Sequence, residues 1–498
     1  MAVVDTVATR RDGDAAETVS PGDSAGTERG PTLATVLGLA SALVGFGLGA
    51  SRLGDNSFLT HLATGREMLE SGIVRADVFT WTSQGEGIVV QSWLASLLYG
   101  VVDELAGFHG LRLLTAVLAA VLATACWKLT ERSPGLWTRV ALMVPVLVIG
   151  RTTWSERPLL IAFVLLAVTL VVAEGAGRTR WLLPVGFVWV GVHGSWPLGI
   201  IALAARWAGG RLDGERAERE VDSAKWLVAG MVIGGTVNPY GPALLLFPLR
   251  LLGNDDVLAH VVEWQSPSFD SLWTRAFLLL VLATIAGVAH RPRWSAAVPA
   301  AVFIAAALVG RRNIPIATIV LLPGLAAALP SLGARIRDRR SEAVRLAVLA
   351  LGALLVLLPL VAVRGPHLDL GRFPEAAVTA MEEDLGLVPG ETRIIHQDFV
   401  GNYLDIRYGD RAASWIDDRF ELHDPELVDD YITLLDGRSG WAEVLDRYEA
   451  AAILWPLDAP LTGLAVAGGW AEVWTDEDWV VLCNPDRAGC GGGTPWTS

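Results

Sequence analysis

Uncharged stretches of 16–21 residues recur along most of this chain, and no other feature restricts its fold as strongly. A helix needs about 20 predominantly apolar residues to cross the hydrocarbon core of a bilayer. Such stretches begin at residues 32–51 and continue near 110–129, 136–152, 158–174, 181–192, 195–208, 224–238, 271–289, 295–310, 314–330 and 343–362. Each half of the 181–208 pair is short for a straight crossing, so that pair reads either as two spans or as one broken hairpin dipping into the membrane. Counted as two, it gives eleven spans. The expected fold class is therefore a mainly α, polytopic helical membrane bundle. The composition agrees: 52% of residues are apolar and 18% charged, against about 45–50% and about 25% in a soluble domain.

Several function classes fall away. Net charge is −14 across 498 residues, so no basic footprint for nucleic acid exists. Only two lysines occur, Lys128 and Lys225, and neither follows a glycine-rich loop, which removes an ATP-binding P-loop. Eight histidines include no HExxH and no close pair, so no cofactor is expected, with a divalent metal held by Asp55 and a second carboxylate as the alternative that no signature supports. Of the three cysteines, Cys483 and Cys490 are spaced for a disulfide in an oxidising compartment, and Cys126 reads as packing.

Charge sorts the segments by side. Residues 1–31 are polar and without apolar period, and read as a disordered cytoplasmic tail. With the N-terminus inside, the inner loops and tail hold 20 of 39 basic residues and the outer loops and helix ends hold 10. This two-to-one bias follows the positive-inside rule. Residues 32–363 then form the transmembrane domain. Within it, 52–106 is an outer loop with surface helices at Phe58–Leu69 and Trp93–Leu105. Residues 364–498 read as a soluble α/β domain, extracytoplasmic with eleven crossings and cytoplasmic if the 181–208 pair makes the number even, with strands at 392–396, 412–416, 451–455, 471–475 and 478–483 and helices at 375–385, 424–435 and 441–448. It holds 26 acids against 9 arginines, or −17, which leaves 30 basic against 27 acidic residues, or +3, on the rest.

This topology gathers polar residues on the outer face. The first loop offers Asp55 and His61; the loop before the 158–174 span offers Glu156 and Arg157; the turn at 193 offers His193. Asn238 and Tyr240 lie in NPYG, Glu263 and Trp264 in VVEWQSP, and Arg311, Arg312 and Asn313 in one turn. Ionisable groups at membrane depth are expensive and mark sites or substrate paths. Each also has a plainer reading: Asp55 as a helix N-cap, His193 and NPYG as turn chemistry, Glu263 and Trp264 as an interface anchor, the arginines as snorkelling ends. Taken together they suit a polyprenyl-phosphate ligand, with arginines pairing the phosphate and an acid such as Asp55 taking a proton from an attacking hydroxyl. In the C-terminal domain, WIDDRFELH groups Asp417, Asp418, Arg419 and His423 as either a loop-fixing pair or a sugar-binding rim.

The run from Asp55 through His61 and Gly65, with SGIVRADVFTWTS (71–83), QSWLASLLYG (91–100), GFHGLRLL (107–114), ERPLLIAF (156–163), VGVHGSWPLG (190–199), TVNPYG (236–241), VEWQSPSF (262–269), RRNIPIA (311–317), VGNYLDIRYG (400–409) and SWIDDRFELH (414–423), resembles a bacterial membrane family. That family is related to the GT-C glycosyltransferases, the superfamily of protein O-mannosyltransferases and lipid A aminoarabinose transferases. The resemblance implies a multi-pass plasma-membrane protein that moves a sugar from a polyprenyl-phosphate donor to a cell-envelope glycan or lipid acceptor. It implies Asp55 as the catalytic acid of the first loop and Arg112 as the arginine opening the next span. Many GT-C enzymes have a second acid beside the first; here Asn56 stands there, leaving Glu156 or Glu263 for that role. A non-catalytic lipid–glycan binder of the same fold is the alternative, followed by a transporter or flippase.

Overall fold

A computed structural model describes residues 30–175, 177–251, 265–333, 341–359 and 364–487. The helical body comprises α1 (Leu33–Gly49), α2 (Asn56–Glu70), α3 (Trp93–Leu129), α4 (Leu136–Thr153), α5 (Pro158–Ala173), α6 (Leu182–Val192), α7 (Pro197–Leu212), α8 (Glu218–Thr236), α9 (Ala243–Leu251), α10 (Leu272–His290), α11 (Trp294–Val309), α12 (Ile314–Ala328) and α13 (Glu342–Leu357). By length and composition, three described helices can cross a membrane: α3, α4 and α10. The other expected spans are helical within the described residues but shorter or more polar, so the count of eleven crossings is not established. Helices α1, α5 and α11 are apolar yet only 16 or 17 residues long.

Two helices form the centre. In α5 the proline at the first position presets the helical φ, and 12 of its 16 residues are buried. In α12, 13 of 15 are buried. A helix apolar on every side is stable only when surrounded, and α5 and α12 share one apolar core with residues of α3, α4, α7 and α10. Helix α3 bends where Gly107 takes φ 58°, ψ −158°, a conformation that glycine adopts without a Cβ clash. Its first part, expected to be a separate surface helix, thus continues through this bend into the apolar part.

The C-terminal segment carries α14 (Glu375–Glu383), β1 (Ile394–His396), α15 (Asp398–Tyr408), α16 (Pro425–Asp436), α17 (Trp441–Arg447), β2 (Ala452–Pro456), α18 (Pro460–Ala467), β3 (Ala471–Thr475) and β4 (Trp479–Cys483). The sheet order is β1-β2-β4-β3, with β1 and β2 parallel and the other pairs antiparallel. Four of the five expected strands are present. The fifth, 412–416, is instead pinned to the first loop: Ser414 N donates to Phe79 O at 3.1 Å and Trp81 N to Ser414 O at 2.9 Å. Helices α15 and α18 were not expected. The expected Cys483–Cys490 pairing involves a residue outside the described ones.

One apolar core joins this segment to the helical body. Leu53, Phe58, Leu62 and Tyr99 pack with Phe373, Val378, Tyr403 and Val481. Leu53 N donates to His367 O and Asp369 N to Leu53 O, both at 2.8 Å. Helices α2 and α3 approach closely at Gly65, where a Cβ would lie 2.0 Å from the Ser96 carbonyl oxygen. Gly65→Ala should therefore destabilise the fold by about 1–3 kcal/mol or more, the usual penalty of overpacking. Gly47→Ala, whose Cβ meets nothing within 4 Å, should be neutral or slightly stabilising; thermal unfolding of the two variants in detergent checks both.

Candidate functional site

The first loop is fixed by α5. Glu156, two residues before α5 and only 6% exposed, accepts Gly54 N–H at 2.6 Å and Asp55 N–H at 2.8 Å on one oxygen, Oε1. Burial raises its carboxyl above the usual range, against the lowering effect of the hydrogen bond from Asp55 N–H. Tyr99 Oη donates to the Glu156 carbonyl at 2.7 Å, tying α3 to the same corner. Glu156 thus acts here as the fastener of the first loop.

Asp55 is the N-cap of α2, accepting Ser57 N–H at 3.1 Å. The plainer reading of this residue is therefore correct in part. Its carboxylate also receives Arg157 Nε at 2.7 Å on each oxygen. Arg157 is the electrostatic hub: its charge lowers the pKa of His61, His193 and Asp418. Four chain regions, the loop at 55, α2, the α6–α7 turn and the segment after 414, therefore lie within electrostatic reach of one guanidinium.

Both imidazoles are neutral at pH 7. Burial and then the Arg419 and Arg157 charges take His61 down to about 4. Burial and then Arg312, His61 and Arg157 take His193 down to about 3. His61 Nδ1 lies 3.0 Å from Ser96 Oγ, and His193 Nδ1 accepts Ser195 N–H at 3.0 Å, a turn contact. A neutral imidazole can hand on or accept a proton without leaving a buried charge.

The sequence pointed to Asp418 only as part of a loop or rim. Asn56 Nδ2 donates to Asp418 Oδ2 at 3.0 Å, and Asn56 Oδ1 accepts Arg372 Nη2 at 2.8 Å. Asn56, which seemed to replace the second acid, instead holds one. Burial pushes the Asp418 carboxyl up to about 7; Asp417 adds to the rise, Arg157 opposes it and Asp398 adds again. The loop carrying it is fixed by Arg419, paired with Asp417 and, at 2.9 Å, with Asp77, and by His423 Nε2 at 3.2 Å from Asp417 Oδ1. The loop-fixing reading of WIDDRFELH applies to Asp417 and Arg419, which lock the loop, while Asp418 bonds across to Asn56.

The other expected residues divide. Arg312 belongs to the cluster through its effect on His193. Arg311 precedes α12 in the same turn, its N–H bonded to Gln265 O at 2.9 Å. Asn313 Nδ2 donates to Ala306 O at 3.0 Å, a helix-end contact. Asn238 bonds within its own turn, to Gly234 O and Gly241 O, and Tyr240 Oη donates to Val74 O at 2.6 Å. NPYG thus docks α8 on the first loop rather than presenting donors to the cluster. Glu263 and Trp264 lie outside the described residues. Among the described residues, no group of three or more His, Cys, Asp or Glu is arranged to hold a metal ion.

No family model matches the chain, and no curated protein matches it. The bacterial-family resemblance of the motifs thus gains no support at the level of sequence. Among solved structures, the fold is similar to the archaeal oligosaccharyltransferase AglB from Archaeoglobus fulgidus in complex with an inhibitory peptide and a dolichol-phosphate. The TM-score is 0.51 at 11% identity, covering 86% of this chain and 69% of that one. The likeness supports the helical fold that the resemblance implied.

A carboxyl with a folded-state pKa near 7 holds its proton where an unfolded aspartate, near 3.8, has lost it. The native state binds more protons between those values, so stability from this group falls as pH rises from about 4 to 7. Asp418→Asn should flatten that part of the stability profile, measured as unfolding temperature from pH 5 to pH 8.

Proposed function

We propose that this chain is a membrane glycosyltransferase that moves a sugar from a polyprenyl-phosphate donor to a cell-envelope glycan or lipid acceptor. The observation that carries this reading is the gathering of Asp55, Asp418, His61 and His193 within reach of the Arg157 charge, with Arg312 acting on His193, at the corner where the helical body meets the C-terminal segment. The fold likeness to an oligosaccharyltransferase held with a dolichol-phosphate supports the donor class. The reading takes residues 364–498 as extracytoplasmic, the N-terminus as cytoplasmic and the apolar helices as a multi-pass bundle in a bacterial plasma membrane.

In this scheme the acceptor hydroxyl attacks the anomeric carbon while the bond from that carbon to the phosphate oxygen breaks. The polyprenyl phosphate leaves with the electron pair, and the hydroxyl proton passes to a carboxylate. Asp418, with a pKa near neutrality, suits a general base working near pH 7. Asp55, paired with Arg157 at 2.7 Å, stabilises positive charge as it develops on the sugar. Arg312 and Arg157 supply charge-assisted hydrogen bonds to the phosphate. Glu263 and Trp264 remain candidate contacts to the same ligands.

A second reading has one observation in its favour. Asp55 already pairs with Arg157, and Glu156 already accepts two backbone N–H groups, as in a protein that binds lipid-linked glycans without turning them over. The two readings part on turnover. Asp55→Asn keeps an N-cap side chain but removes the charge. Transfer of labelled sugar from polyprenyl phosphate should fall about 10²–10³-fold, the range of a lost electrostatic stabiliser of the transition state, with unfolding temperature little changed. Undiminished transfer by this variant would remove Asp55 from the mechanism. Arg312→Gln should instead raise the donor KM about 10–100-fold, as expected for losing a hydrogen bond to a charged group worth about 1.5–3 kcal/mol.

A further inference from the structure

A chamber rich in charged side chains lies at the other end of the bundle. It measures about 550 Å³ and is lined by Arg132, Arg206, Arg291 and Arg293 together with Glu174, Glu215 and Glu220. Its distance from the Asp55 cluster follows from α5, which begins next to Arg157 and ends next to Glu174. Sixteen residues at 1.5 Å rise separate them by about 24 Å. Helix α12 likewise starts beside Arg312 and ends at Ala328, in the chamber wall.

The four guanidinium groups are unequally engaged. Glu174 is clamped by Arg132 at 2.7 Å and Arg206 at 2.5 Å, and Glu220 lies 3.4 Å from Arg206. Those charges balance within the wall. Arg291 donates to the Ala327 carbonyl at 3.2 Å, and Arg293 lies 3.5 Å from Glu215 with both side chains exposed. Each guanidinium carries five N–H donors, so this pair retains donors for an anion with several oxygens. The wall behind them is rigid. Trp294 N and Ser295 N both donate to Asp213, at 2.8 and 2.9 Å, and a Cβ on Gly209 would lie 2.3 Å from Trp294 O.

The surroundings set the depth. Trp137, Trp181 and Trp294 are exposed at the starts of α4, α6 and α11, and Trp207 is exposed in the last third of α7. A rim of exposed tryptophans marks the level of lipid headgroups. A basic chamber open at that level meets phosphate on lipids before it meets any other concentrated anion.

We propose that this chamber binds the phosphate of an anionic phospholipid headgroup between Arg291 and Arg293. The site is separate from the transfer site and does not depend on the glycosyltransferase reading. The test uses the full chain in bilayer discs of phosphatidylcholine alone or mixed one to one with phosphatidylglycerol. Phosphatidylglycerol should raise the unfolding temperature by several degrees and remain attached in native mass spectrometry. The doubly substituted Arg291→Gln, Arg293→Gln protein should lose both effects while keeping its unfolding temperature in pure phosphatidylcholine. The proposal is overturned if that protein keeps the phosphatidylglycerol shift, or if inorganic phosphate added to phosphatidylcholine discs gives the same shift. Should the double variant not fold, the wild-type shift in about 1 M salt decides, because screening there acts over about 3 Å. A shift that persists overturns the proposal and one that collapses supports it.

Discussion

Two backbone N–H groups, those of Gly54 and Asp55, converge on a single oxygen of Glu156, and the arrangement of the polar corner depends on that junction. Hydrogen bonds to a charged acceptor contribute about 1.5–3 kcal/mol each, and more is lost when such an acceptor is left buried and unpaired. The junction sets where α2 starts, and hence where Asp55 presents its carboxylate to Arg157. Because Glu156 and Arg157 are consecutive, one short segment before α5 both anchors the loop and answers its charge. An α5 displaced along its axis would break both contacts together.

The C-terminal segment is joined to the same corner by an unusually polar seam. Asp405 accepts Thr60 Oγ1 at 3.2 Å and Ser414 Oγ at 2.6 Å, and Arg419 bridges Asp417 to Asp77 across more than 300 residues of sequence. Buried charges are tolerated when each finds partners, and removal of one partner leaves the other exposed to the full desolvation penalty. These bonds are directional, so they fix the orientation of the segment, whereas the apolar core under them supplies most of the attraction. Asp418 reaches the site because this seam leaves its loop no alternative position.

Helices α5 and α12 link the two ends of the bundle. Each begins at the polar corner and ends at the arginine-lined chamber, and each is buried along most of its length. A helix with no polar face has no preferred rotation from solvent contact. Its register is set instead by polar groups at its ends, here Glu156 and Arg157 at one end of α5 and Glu174 at the other. Close-packed surroundings then transmit that placement along the axis.

By itself, the sequence determined the helical membrane class, most of the element boundaries and the group of residues that deserved attention. Apolar length, proline at helix starts and sparse charge are local properties and are legible in one dimension. Asp55, Arg157, His61, His193 and Arg312 were visible for the same reason, as charges and imidazoles standing beside apolar helices. Asp418 was visible only as one member of WIDDRFELH, because its bond to Asn56 spans 362 residues and its burial is encoded by no local pattern. The same holds for 412–416, whose strand-like composition pairs with the first loop instead of the sheet. The tertiary structure alone decided which polar groups meet and which of them, like Asn238 and Asn313, satisfy their own turns. Hydrogen bonds and charge interactions act over a few ångströms of space, and sequence distance does not measure that.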